Sequence, residues 1–205
     1  MRVLLINGSP HEHGCTYTAL MEIAGVLEKH DIEWELIYLG KKPIAGCIDC
    51  GKCGETGKCI FNDQVNQIIE RLDTFDAVVD GSPVYYAAAS GQITAFMNRL
   101  FFASGGRMAG KLGAAVVSCR RGGASAAFDQ LNKYFTISNM PVVPSQYWNQ
   151  VHGNTPDEVH QDAEGLQTMR TLAENMAWLL KCIDAGRKAH VPAPQYEPRL
   201  RTNFI

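Results

Sequence analysis

Cys47, Cys50, Cys53 and Cys59 follow one another at C-x2-C-x2-C-x5-C spacing. Thiolates bind soft metals, and three at successive x2 spacing can wrap one iron–sulfur cubane with a fourth closing it. Gly46, Gly51, Gly54 and Gly57 lie among them and permit the sharp turns this wrapping needs. The spacing departs from the bacterial ferredoxin run, which has x3 before its last cysteine and a proline after it. Four thiolates also make a structural zinc site, although such sites more often use two separated C-x2-C knuckles. Free thiols are the third reading, and spacing alone leaves all three open.

Three other segments combine small, hydroxylic and basic residues. In Asn7-Gly8-Ser9-Pro10-His11-Glu12-His13-Gly14-Cys15-Thr16, hydroxyls stand at both ends and glycines where backbone must approach closely. A strand-to-helix loop of this kind offers free N–H groups and a helix dipole to an anion, the dipole contributing about 0.3–1 kcal/mol. The segment lacks both the Gly-x-Gly-x-x-Gly dinucleotide fingerprint and the Gly-Lys-Ser/Thr ending of nucleotide-triphosphate loops, so a monophosphate fits better. Its plain alternative is a solvated turn with Thr16 as a helix cap. The segment from Ser82-Pro83-Val84-Tyr85-Tyr86 to Gly91 places two aromatics among small residues, a surface on which a planar ring can stack. In Ser118-Cys119-Arg120-Arg121-Gly122-Gly123, glycines allow close backbone contact and an arginine can stabilise negative charge. Taken singly, the Tyr pair reads as core plus interface, and the Arg-Gly run as a solvated turn.

What unites the three segments is their place in the pattern of elements. Apolar runs at residues 1–6, 32–39, 77–79, 112–118 and 140–143 read as strands, mostly without polar alternation, as in strands buried on both faces. Helical spacing of apolar residues predicts helices from Thr16, from a cap at Asn62 or Asp63, over 91–102, over 124–135 and over 156–183, the last opened by Thr155 or Asp157. Strict alternation of strand and helix implies a parallel sheet covered on both faces, with ligands at the C-terminal ends of the strands. Each of the three segments follows a strand and precedes a helix.

A chain of 205 residues with 46% hydrophobic and 20% charged residues has the proportions of one globular domain, here residues 1–185 with a cysteine-rich loop at 43–61 and a Pro-rich tail at 186–205. The tail has too few apolar anchors to fold alone and is expected to lie on its own body or a neighbour's. A net charge of −2 provides no basic field for nucleic acid or an anionic membrane. The opening apolar run, residues 3–6, is too short for a signal-peptide core, and no segment reaches membrane-spanning length. With seven cysteines, an odd number, the chain reads as cytoplasmic with reduced or ligating thiols. Cys119 and Cys182 read as small buried hydrophobes, Phe101 and Phe102 as core, and His152 near Trp148 as a solvated loop residue outside the site.

The segments Asn7-Gly8-Ser9-Pro10 with Thr16 downstream, Ser82-Pro83-Val84-Tyr85-Tyr86, Gly91-Gln92-Ile93-Thr94-Ala95-Phe96-Met97-Asn98-Arg99-Leu100-Phe101 and Arg120-Arg121-Gly122-Gly123 occur in an order that resembles the NADPH-dependent FMN reductase family of flavodoxin-like flavoproteins. The resemblance spans about residues 1–150, and the cysteine spacing resembles the compact motif of that family's iron–sulfur flavoprotein branch. It implies an α/β three-layer sandwich with a five-stranded parallel sheet in order 2-1-3-4-5. It also implies FMN, with its phosphate at Ser9, His11, Cys15 and Thr16. The isoalloxazine would lie near Ser82, Pro83, Val84, Tyr85 and Tyr86 on one side, and near Ser118, Cys119, Arg120, Gly122 and Gly123 on the other. NAD(P)H is then a co-substrate, a small molecule or protein the electron acceptor, and a homodimer or homotetramer the assembly.

A 4Fe-4S cluster on Cys47, Cys50, Cys53 and Cys59 would give a two-electron flavin a one-electron exit. The activity implied is that of an oxidoreductase in which the nicotinamide delivers hydride to the flavin, with no protein nucleophile required. The alternatives are a non-enzymatic electron carrier or redox sensor acting on partner proteins, and a zinc-stabilised binding module without flavin. Two departures from the family stand out: its members often carry Arg or Lys where His11 and Glu12 stand, and Asn where Cys15 stands. A carboxylate at Glu12 would repel a bound phosphate.

Overall fold

A computed structural model describes residues 1–204. Strands β1 (Arg2–Asn7), β2 (Glu33–Tyr38), β3 (Ala77–Tyr85), β5 (Leu112–Cys119) and β6 (Gln150–His152) form a parallel sheet in the order β2-β1-β3-β5-β6. A two-residue strand, β4 (Ala88–Ala89), pairs antiparallel with the end of β3 and lies off this path. With the hairpin strand set aside, the order is the expected 2-1-3-4-5.

The strands carry apolar side chains on both faces, and each face is covered by helices because parallel neighbours require crossovers. On one face Val3, Leu5, Val79 and Val116 pack against α1 (Cys15–Lys29) and α7 (Ala163–Lys188) through Leu20, Ile23, Met169 and Met176. On the other, Leu4, Ile6, Val78 and Val117 meet α3 (Gln64–Glu70), α4 (Gly91–Ala103) and α5 (Ala124–Ile137) through Ile68, Phe96 and Leu131. Each large aliphatic side chain so buried stabilises the fold by about 1.5–3 kcal/mol before entropy is counted.

Several expectations need correction. Residues 140–143 do not form the last strand: only Val142 bridges to Gly113, and Pro141 and Pro144 remove the donors a ladder needs. The last strand is β6, ten residues further on in its start, Gln150 pairing with Val117. The expected helix over 156–183 is two helices, α6 (Pro156–Gln161) and α7, separated at Asp162. Thr155 caps α6, whereas Asp162 caps α7 by accepting from the Gly165 amide and, with its other oxygen, from the His152 amide. Of the two caps considered for α3, Asp63 is the one used. A short helix, α2 (Lys52–Thr56), forms inside the cysteine loop. Cys182 and Phe102 are exposed, not buried, while Cys119 is buried. In the tail, Arg187 donates to Asp76 of the body at 3.2 Å while residues 191–204 are exposed throughout; its last position, 205, lies outside the described residues. Among the described residues no helix is long and apolar enough to cross a membrane.

Candidate functional site

Asn7, the last residue of β1, organises the loop that follows. It is fully buried, its Oδ1 accepts from the Ser9 amide at 3.0 Å, and its Nδ2 donates to the Glu12 carbonyl at 2.9 Å. Ser9 Oγ in turn accepts from the His11 amide at 3.1 Å, and the Tyr38 hydroxyl on β2 donates to the Pro10 carbonyl at 2.7 Å. The loop is therefore fixed at both ends and at its apex. Gly14 then opens α1 with no capping side chain, and no acidic residue stands in the first turn. First-turn amides of a helix have no intrahelical partner, so this end of α1 keeps its positive dipole and its donors for an anion.

Two other strand ends converge on the same spot. Ser118, near the end of β5, places its hydroxyl 2.8 Å from that of Thr16. The two hydroxyls hold two protons and use one between them, which leaves one O–H for a ligand. Beyond Ser118, Gly123 opens α5 in the left-handed region at φ 87°, again with no side-chain cap. A side chain there would strike Ala87 of the β3–β4 hairpin, its Cβ 2.7 Å from the Ala87 Cα, so glycine is what lets the two loops close on each other.

The result is a cavity of about 240 Å3 lined by Ser9, His11, Cys15, Thr16, Pro83, Val84, Tyr85, Ser118, Cys119, Arg120, Gly153 and Asn154. All three segments singled out in the sequence contribute to it. Four of the expected residues stand behind or beside the wall. Ser82 is fully buried and accepts from the Ser90 amide at 2.9 Å. Tyr86 sits at φ 51° on the hairpin tip and is 106% exposed, pointing away from the core. Gly122 and Gly123 carry the turn into α5. Gly153 and Asn154 were not foreseen, because they follow β6 and the last strand was expected earlier. His152 was set aside as solvated, yet its Nδ1 lies 3.5 Å from Cys119 Sγ.

The thiols of this cavity are held in their neutral form. Burial pushes Cys119 up against the opposing pull of the Arg121 and Ala124 amides, and burial with the nearby Glu158 charge pushes up Cys15. Burial likewise raises the Tyr85 phenol. Glu12 does not line this cavity. It borders a larger concavity of about 730 Å3 between Tyr38, Lys41, Lys42 and Gln64. That larger space lacks the convergence of hydroxyls, uncapped helix ends and strand termini, and chemistry rather than size selects the smaller one.

The four clustered cysteines line a second cavity, also about 240 Å3, together with Ile48, Phe61, Arg99, Phe102 and Ala103. Asn66 closes the base of the loop: its Oδ1 accepts from the Cys59 amide at 2.8 Å, and its Nδ2 donates to the carbonyls of Cys59 and Phe61. Gly51 and Gly57 bound α2 in left-handed conformation at φ 71° and 68°, so this helix too starts without a side-chain cap. Among the described residues no three His, Cys, Asp or Glu side chains are drawn close enough together to hold a metal ion. The donor set nonetheless fits a thiolate-held group: four sulfurs, one shared cavity, and apolar walls around it. Neither Asn66 nor Arg99 was foreseen, since both are polar residues within helices otherwise patterned for the core.

A flavodoxin-like sheet with an uncapped helix start after β1 and an open pocket over the ends of β3 and β5 places this chain among the doubly wound α/β proteins, whose ligands bind at the carboxyl ends of the strands. The sequence pattern of the family described as NADPH-dependent FMN reductase matches residues 1–155, and the chain belongs to that family. An iron–sulfur flavoprotein of Methanocaldococcus jannaschii is 32% identical over 191 residues, covering 89% of this chain and 99% of the relative. An iron–sulfur flavoprotein of Methanosarcina thermophila is 24% identical over 191 residues, covering 91% and 99%. Among solved structures, an archaeal flavodoxin aligns with TM-score 0.61 at 16% identity, covering 88% of this chain and 99% of its own. An FMN-dependent NADH-azoreductase from Bacillus anthracis in complex with FMN aligns with TM-score 0.62 at 12% identity, covering 86% and 99%. These two likenesses show the fold.

Proposed function

We propose that the protein binds FMN in the cavity between Ser9, Tyr85 and Arg120, and acts as an NAD(P)H oxidoreductase whose four-cysteine loop holds a 4Fe-4S cluster. The observation that carries this reading is the convergence of the uncapped α1 terminus, the Thr16–Ser118 hydroxyl pair and the Pro83–Tyr85 strand end on one cavity. FMN supplies two-electron chemistry between a nicotinamide and an acceptor when bound, and an iron–sulfur cluster supplies one-electron transfer.

The chain's own residues bind and orient. Ser9, the Cys15 and Thr16 amides and the free hydroxyl proton of the Thr16–Ser118 pair would take the phosphate. Val84 and Tyr85 would give the ring an apolar wall, and Arg120 would supply positive charge at its edge. Cys47, Cys50, Cys53 and Cys59 would hold the cluster, with the side chains of Ile48, Phe61 and Phe102 keeping water from it.

Anaerobic purification with flavin and iron quantification tests the reading. A yellow-brown protein with FMN and about four irons per chain is expected for a 4Fe-4S flavoprotein. A colourless protein that takes up neither on reconstitution would end it. Steady-state NAD(P)H oxidation with a quinone or free flavin then separates an enzyme from a carrier, because a pure carrier turns over nicotinamide negligibly.

A further inference from the structure

Arg99 is an arginine with 1% of its side chain exposed, planted on α4 beneath the cysteine loop. Buried arginines require partners for every donor, and this one has them. Its Nη1 donates to Asp63 Oδ2 at 2.7 Å and to the Ala45 carbonyl at 3.3 Å. Its Nη2 donates to Asp63 Oδ1 at 2.9 Å and to the Phe61 carbonyl at 3.2 Å, and the guanidinium lies 4.9 Å from the centre of the Phe61 ring. The remaining donor, Nε, points at Cys59 Sγ at 3.1 Å.

The two ends of the loop are thereby tied to one rigid helix: Ala45 enters it just before Cys47, and Cys59 to Asp63 leave it. Asp63 and the two carbonyls take the four Nη donors and leave Nε, whose partner is sulfur, and this bond singles out one of the four thiols.

We propose that Arg99 is a positioning residue for the four-cysteine site, holding Cys59 as the fourth ligand and placing an N–H donor on its sulfur. The proposal rests on the cysteine loop being a cluster site. Donors to ligand sulfurs stabilise the more reduced, more anionic state of an iron–sulfur centre and so raise its potential. Lysine keeps the charge but has no planar fork with which to bond sulfur, carboxylate and carbonyls together.

The test compares wild type, Arg99→Lys and Arg99→Leu, purified anaerobically with FMN bound. Iron and FMN are quantified per chain, and the cluster's midpoint potential is read by redox titration with electron paramagnetic resonance detection. Arg99→Lys is expected to keep FMN at wild-type content and to shift the cluster potential to a more negative value. Arg99→Leu is expected to keep FMN and lose most of its iron, and if it fails to fold Arg99→Lys decides alone.

Wild-type iron content and an unchanged potential in Arg99→Lys overturn the proposal while the cluster reading stands. Loss of FMN together with iron in both variants also overturns it, by showing an arginine needed for the whole architecture. A wild-type protein that binds FMN but never iron removes the cluster reading and the proposal with it.

Discussion

The hydroxyls of Thr16 and Ser118 lie 2.8 Å apart, a bond across 102 positions of sequence that joins the start of α1 to the end of β5. A helix start and a strand end are thus presented to a ligand as one donor group. Thr16→Val preserves shape and removes a hydroxyl, and is expected to weaken FMN binding by about 1.5–3 kcal/mol, the usual worth of a hydrogen bond to a charged group. Ser118→Ala leaves Thr16 as the remaining hydroxyl, just as Thr16→Val leaves Ser118, so both variants are expected to bind FMN more weakly. Flavin fluorescence titration measures both, and equal affinity in Thr16→Val and wild type would refute the shared donor.

Gly123 and Gly122 are adjacent but face different constraints. At Gly123, with φ 87°, an added Cβ would lie 2.7 Å from the Ala87 backbone; at Gly122 nothing lies within 4 Å. Gly123→Ala should destabilise the protein by about 1–3 kcal/mol and displace the 83–89 hairpin, with a matching loss of FMN affinity. Gly122→Ala should change little. Urea unfolding midpoints for the pair check this, and a near-neutral Gly123→Ala would show that the hairpin does not rest on that contact.

How far the sequence discloses this arrangement depends on the kind of signal each residue gives. β1 and β5 are legible because strands buried on both faces are uninterrupted apolar runs, and their ends fix where the first and third loops must meet. β6 is not legible: Gln150-Val151-His152 is too short and mixed to stand out, whereas Met140-Pro141-Val142-Val143 is apolar but proline-bearing. Misplacing that strand hides Gly153 and Asn154, which take their position from it. Arg99 is hidden for another reason. It falls between Met97 and Leu100 on an amphipathic helix, where a charge reads as a solvated face, and only the folded loop brings Cys59 and Asp63 to it. Tyr86, an aromatic that composition marks as a stacking surface, stands on the left-handed hairpin tip and is exposed.

The two cavities share no lining residue, so the cysteine loop should be separable from flavin binding. Cys50→Ser removes one of four sulfur donors and is expected to abolish most iron retention while FMN content stays at the wild-type level. Cys182→Ser, at an exposed position on α7 remote from both cavities, should alter neither. Iron and flavin assays on the three proteins decide the matter. Full iron in Cys50→Ser would mean that the iron is held elsewhere.

Asp80 is the residue least reconciled with its surroundings. It lies mid-strand on β3, fully buried between Ile6 of β1 and Ala115 of β5, and neither carboxyl oxygen has a hydrogen-bond partner. Burial raises its pKa well above the usual carboxylate range, opposed by its own amide, so the folded state favours the uncharged acid. The native state therefore binds a proton that the unfolded chain, with an Asp pKa of about 3.9, has already released. Its contribution to stability is complete below the unfolded value and is lost as pH rises toward the folded one. Asp80→Asn is nearly isosteric and cannot ionise, and should flatten the decline in unfolding free energy as pH rises above the unfolded Asp value of about 3.9. Asp80→Leu additionally removes the unpaired buried group and should stabilise the protein at pH 7 by about 1–3 kcal/mol, the desolvation cost of an unsatisfied polar group. Urea denaturation across that pH range measures both effects. Parallel pH profiles for wild type and Asp80→Asn would show that Asp80 does not hold the extra proton, and would shift the search for its role to a water or partner group at the strand.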